Sequence, residues 1–135
     1  MPGLRYREVE IGDPIGPAEY EVTGEVADDY HESIDVSHPR FTSEDSRLVE
    51  PTILGRFASE TVSCRYPGEG RIYAQGEFEF SSPVRVGQTV IAEGEISDKY
   101  QERGRKYVEF DVKLRTDDGT RLGRNVSRFV VEANR

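Results

Sequence analysis

The sequence predicts an α+β fold, one long helix wrapped by a curved antiparallel sheet, and three observations predict it. Over residues 51–65 apolar side chains recur at helical spacing. From Arg71 onward they alternate with polar ones in successive runs, the period of a half-buried strand. Turn-forming residues such as Arg103-Gly104 and Asp117-Asp118-Gly119 separate the later runs. A helix with a broad apolar stripe needs cover, and alternating strands present one apolar face to supply it.

The elements follow in chain order. Residues 1–18 carry Pro2, Gly3, Gly12, Pro14, Gly16 and Pro17 and read as an irregular arm. Residues 20–23 form a short strand candidate. Thr23 then caps a helix over about 25–34, with Glu25, Asp28 and Asp29 complementing its dipole. Val26, Tyr30 and Ile34 make its apolar spacing, and His31 reads as a surface residue. Pro39 and a polar stretch make 35–48 a loop. Pro51 suits a first helical turn, where its missing N–H leaves nothing unpaired. Ile53, Leu54, Phe57, Ala58, Thr61, Val62 and Cys64 then form the stripe, against Arg56, Ser59, Glu60 and Ser63. The helix stops by Pro67-Gly68. Strands follow at 71–80, around Val90 to Ile96, around Val108 to Leu114 and at 121–131, as a meander. Residues 82–87 read as a bend leading into a strand.

The 135 residues fit one domain, with no linker or repeat to divide them. Apolar residues are 35% of the chain, low for a free monomer and suited to a thin sheet with one wet face or to a domain completed by a partner. The net charge of −8, without a basic footprint, argues against nucleic acid as a partner. It would also repel a phosphate-rich ligand unless nearby arginines offset it. No apolar run is long enough to span a bilayer and no leader opens the chain, so a cytoplasmic location is expected. The lone Cys64 excludes an internal disulfide and reads as an inert core residue. The two histidines and the cysteine fall at no ligand spacing, and no glycine-rich phosphate loop exists, so neither metal nor cofactor is expected.

Four stretches in order resemble the MaoC-like hot-dog group, which includes (R)-specific enoyl-CoA hydratases and β-hydroxyacyl thioester dehydratases. They are Tyr20-Glu21-Val22-Thr23 before the first helix, then Asp35-Val36-Ser37-His38-Pro39, then Leu48-Val49-Glu50-Pro51-Thr52-Ile53-Leu54. The last is Tyr73-Ala74-Gln75-Gly76-Glu77-Phe78, followed by Pro83-Val84 and Gly87-Gln88-Thr89. The resemblance implies a hot-dog fold and a CoA- or carrier-protein-bound acyl group as substrate. It implies an Asp and a His that hold and activate water, and a thioester carbonyl resting on a backbone N–H at the start of the central helix. That chemistry needs a base, an acid and preorganised donors for an enolate-like oxygen.

The chain departs from the group's Asp-x-Asn-Pro-x-His loop. Setting His38-Pro39 on Asn-Pro puts Val36 at the Asp position and Phe41 at the His position. Asp35 lies one residue early, within reach of register through a one-residue bulge, and His38 could then be the base. The expected catalytic pair is therefore Asp35 and His38. Thr52 and Ile53 are expected to offer the amides, and Glu50 and Phe41 to line the substrate site. As plain structure, His38 would fix the turn, Asp35 would cap the loop and Glu50 would be a solvated carboxylate. Two functional readings stay open: a hydratase or dehydratase, or a non-catalytic thioester-binding subunit beside a competent partner. A thioesterase using Glu60 is a third. Each predicts a homodimer or a heterodimer with a related chain, because a single hot-dog sheet leaves an edge open.

Overall fold

The computed structural model describes residues 4–42, 47–67 and 71–132. A short 3-10 turn at Tyr6–Glu8 precedes strand β1, Pro14–Glu21. Helix α1 is Gly24–Ser33, the short α2 is Pro39–Thr42, and β2 is Leu48–Val49. The central helix α3 is Ile53–Arg65. Then come β3 (Arg71–Phe80), β4 (Val84–Arg85), β5 (Thr89–Glu102), β6 (Arg105–Thr116) and β7 (Arg121–Val131).

Five strands form one antiparallel sheet in the order β1-β5-β6-β7-β3, and β2 pairs with β4. The expected four-strand meander is thus corrected. Strands β5, β6 and β7 do meander through the turn at Arg103-Gly104 and the one at Asp117-Asp118-Gly119. Strand β3 instead lies beyond β7, at the edge opposite β1. The irregular arm is also shorter than residues 1–18, because Pro14 already opens β1 and its register shifts between Ile15 and Ala18.

Alternation places the core where the sequence predicts it. Val90, Ala92 and Ile96 of β5 and Val108, Phe110, Val112 and Leu114 of β6 are buried on one face. Against that face packs the α3 stripe of Ile53, Leu54, Phe57, Ala58, Thr61 and Val62. Each such aliphatic or aromatic side chain contributes roughly 1.5–3 kcal/mol on burial. Gly94 is required at the β5–β6 contact, since a Cβ there would sit 1.8 Å from the Asp111 carbonyl oxygen.

Two residues lie opposite to expectation. Cys64 is exposed with Ser63 and Arg65, whereas Val62 and Tyr66 on either side of this stretch are buried in the core. His31 is buried, because the inward face of α1 is Ala27, Tyr30 and His31 rather than Val26, Tyr30 and Ile34. The Thr23 hydroxyl does cap α1, accepting from the Val26 N–H at 3.1 Å. Strand β3 alternates in sequence, yet Ile72, Tyr73, Phe78 and Phe80 are all exposed.

Candidate functional site

The pairing of β2 with β4 fixes the approach to α3. Val49 faces Val84 across the pair, both buried, and the chain turns at Pro51. This brings Phe41, Leu48, Val49 and Pro51 against Phe80 and the Ser82-Pro83-Val84 bend around a cavity of about 360 Å³. The walls are apolar and, among the described residues, carry no ionisable side chain; Ser81 and Ser82 are the polar members. An apolar, concave surface beside a helix start is the shape a small acyl group needs.

Pro51 has no N–H, so the first amides available are those of Thr52 and Ile53. The Thr52 N–H points at the Glu50 carboxylate, 3.3 Å from Oε1. The Ile53 N–H donates to the Glu50 carbonyl at 3.0 Å, the Leu54 N–H to Pro51 at 3.1 Å, and the Gly55 N–H to Thr52 at 3.0 Å. The leading amides that the sequence reading left open for a thioester are therefore engaged. Three are closed by tight backbone bonds, as helix ends commonly are. Thr52 alone of the four is closed by a side chain, which can swing away. Its own hydroxyl bonds the Tyr30 phenol at 2.7 Å.

His31 anchors this arrangement. Its Nε2 accepts from the Glu50 N–H at 3.0 Å, so the neutral ring carries its proton on Nδ1. Burial, and then the nearby Arg47 guanidinium, hold its pKa below the ordinary histidine value. Phe41 lies against it, ring centroids 4.7 Å apart. Arg47 bonds the Phe41 carbonyl at 2.5 Å and forms an ion pair with Asp28 of α1. The side chain at the position where the resemblance expects a histidine thus packs on a different histidine.

The expected catalytic pair is solvent-facing. Asp35 is exposed, at a left-handed φ of 53° just after α1, with its N–H bonded to the Glu32 carbonyl. His38 is exposed as well, and its carbonyl accepts from the Phe41 N–H at 2.8 Å to start α2. Neither lines the apolar cavity, whereas Phe41 does. Ile53 is fully buried and Glu50 half-buried, not solvated as the plain reading had it. Glu60, the thioesterase candidate, is paired with Arg56 at 3.3 Å. It borders a different hollow of about 320 Å³, floored by Tyr20 and Phe57 and rimmed by Glu19, Glu21 and Asp29. Sequence reasoning missed His31 and Arg47; the i, i+3, i+4 spacing of Ala27, Tyr30 and His31 was the available signal.

Among the described residues no group of His, Cys, Asp or Glu is placed to hold a metal, and no helix is long and apolar enough to cross a membrane.

No family model matches the chain. An (R)-specific enoyl-CoA hydratase of Rhodospirillum rubrum is 32% identical over 65 residues, which make up 48% of this chain and 44% of that protein. The match therefore spans less than half the length of that relative. The structure of an R-hydratase from Pseudomonas aeruginosa superposes with a TM-score of 0.81 at 17% identity, covering 96% of this chain and 86% of the other. One chain of the HadBC complex, a 3R-hydroxyacyl-ACP dehydratase of Mycobacterium tuberculosis, superposes with a TM-score of 0.73 at 19% identity, covering 89% and 96%. The chain has the hot-dog fold of the MaoC-like dehydratases and hydratases that its sequence resembles.

Proposed function

We propose that this chain is an acyl-thioester-binding protein of the hydratase and dehydratase class, taking a CoA- or carrier-protein-bound enoyl or 3-hydroxyacyl group at the start of α3. The observation that carries this reading is the apolar cavity walled by Phe41, Leu48, Val49, Pro51 and Phe80, whose Pro51 directly precedes Thr52, the leading amide closed by a movable side chain. The acyl carbonyl would displace the Glu50 carboxylate and accept from Thr52. Hydration then requires proton transfer at the double bond, and Asp35 and His38 are the acid and the histidine of the preceding loop. Following the loss of enoyl absorbance of crotonyl-CoA tests the chemistry. A rate that the Asp35→Asn, His38→Gln double variant abolishes supports the pair; a rate it leaves unchanged removes them from the mechanism.

A second reading, a non-catalytic subunit that shapes the acyl site of a competent partner, is favoured by specific observations. On the resemblance Val36 and Phe41 stand at the proton-transfer positions; Phe41 is packed on His31, and among the described residues no ionisable side chain lines the cavity. Its sign would be thioester binding without turnover, with hydration restored by a related chain that carries both residues. Under either reading the site lies beside the open edge of β3, whose exposed Phe80 belongs to the cavity wall, so a second hot-dog chain would close it.

A further inference from the structure

A second cavity, of about 200 Å³, lies between α3 and the β3–β7 edge of the sheet. It is distinct from the first in chemistry. Arg71, Tyr73, Ser59, Asn125 and Ser127 line it, with Phe78 and Phe129 as flat apolar walls, and among the described residues no carboxylate does. Asn125 and Ser127 alternate along β7 and so face α3 together, at 6% and 5% exposure.

The polar groups here are not used up. The Ser127 hydroxyl has no hydrogen-bond partner among the described residues, although its side chain is buried and borders the cavity. A hydroxyl that opens onto the cavity without a protein partner is free to donate to a ligand. Asn125 donates to the Glu77 carbonyl at 3.2 Å, which leaves its other amide hydrogen. Arg71 bonds the Tyr66 carbonyl at 2.6 Å and the Ser63 hydroxyl at 3.1 Å, and it caps the end of α3 in doing so. It forms no ion pair among the described residues, and burial holds its pKa below the ordinary arginine value. Gly55 lets the Phe78 ring pack directly on α3 as a wall of the cavity, since a Cβ there would lie 2.7 Å from that ring.

We infer that this cavity binds the carboxylate of a small organic acid with a flat or apolar body, with the carboxylate on Arg71 and Ser127 and the body between Phe78 and Phe129. Donors without an opposing acid select an anion, and the guanidinium matches a carboxylate's two oxygens. The aromatic walls select against a bare inorganic ion. The carboxylate could belong to a free acid or to the far end of an acyl group whose thioester sits at the start of α3. Gly55, which borders the cavity, is about one helical turn from that start.

The test uses the full chain and titrates phenylacetate, phenylacetamide and inorganic phosphate by calorimetry. Saturable one-to-one binding of phenylacetate, about tenfold tighter than the amide, is expected, as is no binding of phosphate. Arg71→Gln should abolish the preference for the acid. Because it also removes a cap on α3, Ser127→Val serves as the second variant and should weaken phenylacetate binding several-fold while leaving thermal stability intact. Absent binding, equal binding of acid and amide, or binding untouched by both variants overturns the inference. Glutaryl-CoA against butyryl-CoA then distinguishes the sources. Preference for glutaryl-CoA that is lost in Arg71→Gln assigns the carboxylate to an acyl end. No preference, with phenylacetate still bound, assigns it to a free acid. This last arm rests on the proposed function, whereas the phenylacetate arm does not, so failure of one is told apart from failure of the other.

Discussion

Glu50 is the residue on which the proposed thioester site turns. Its backbone N–H is held by His31, its carbonyl takes the Ile53 amide, and its carboxylate covers the Thr52 amide that a thioester would need. The carboxylate is thus an internal competitor, and its negative charge also opposes a CoA ester. Replacing it with Gln removes the charge and weakens the cap. Glu50→Gln is expected to tighten butyryl-CoA binding by about fivefold, equivalent to roughly 1 kcal/mol, read by calorimetry; weaker binding would show that the carboxylate helps to hold the ligand. His31 gives a pH signature. Its folded pKa is lowered, so below the ordinary value near 6.5 the unfolded chain takes up a proton that the folded chain refuses. Stability should be full above that value and decline as pH falls through it towards the lowered folded pKa. In His31→Gln that part of the pH dependence should vanish from urea midpoints measured across the range. Sequence alone hid this residue because histidine counts as polar by type, and its burial depends on Phe41 and Arg47 arriving from a later loop.

At the level of elements, much was legible. The periodicity of α3, the cap at Thr23 and the two hairpin turns are local properties, and each is found where the residues put it. The sheet order was not legible, because strand alternation says which face is buried and nothing about which neighbour pairs. Strand β3 shows the limit most clearly. Its Ile72, Phe78 and Phe80 read as core, yet β7 covers one edge only and the side chains stay exposed. The closest packing between strands is at Gly94, where the Asp111 backbone blocks any side chain. Gly94→Ala is expected to destabilise the fold by about 1–3 kcal/mol in chemical denaturation, since backbone rather than a flexible side chain must move. An unchanged midpoint would mean that β5 and β6 separate there without cost.

Taken whole, the molecule leaves the outer edge of β3 unpaired among the described residues. One edge of the sheet, the exposed ring of Phe80 and the cavity beside it lie together, and a second chain paired along β3 would cover all three. Light scattering at micromolar concentration is expected to give twice the mass of one chain, and Ile72→Lys on that edge should shift it towards one. A monomeric mass for the unaltered chain would leave the cavity open to water. The formal charge of −8 makes the binding of an anionic cofactor ester informative, since general attraction cannot produce it. The most direct test of thioester docking at the start of α3 is therefore to follow the backbone amide resonances while butyryl-CoA is added. The account predicts a saturable shift centred on Thr52, with Phe41 and Phe80 moving in step; saturable shifts elsewhere with Thr52 unmoved would contradict it.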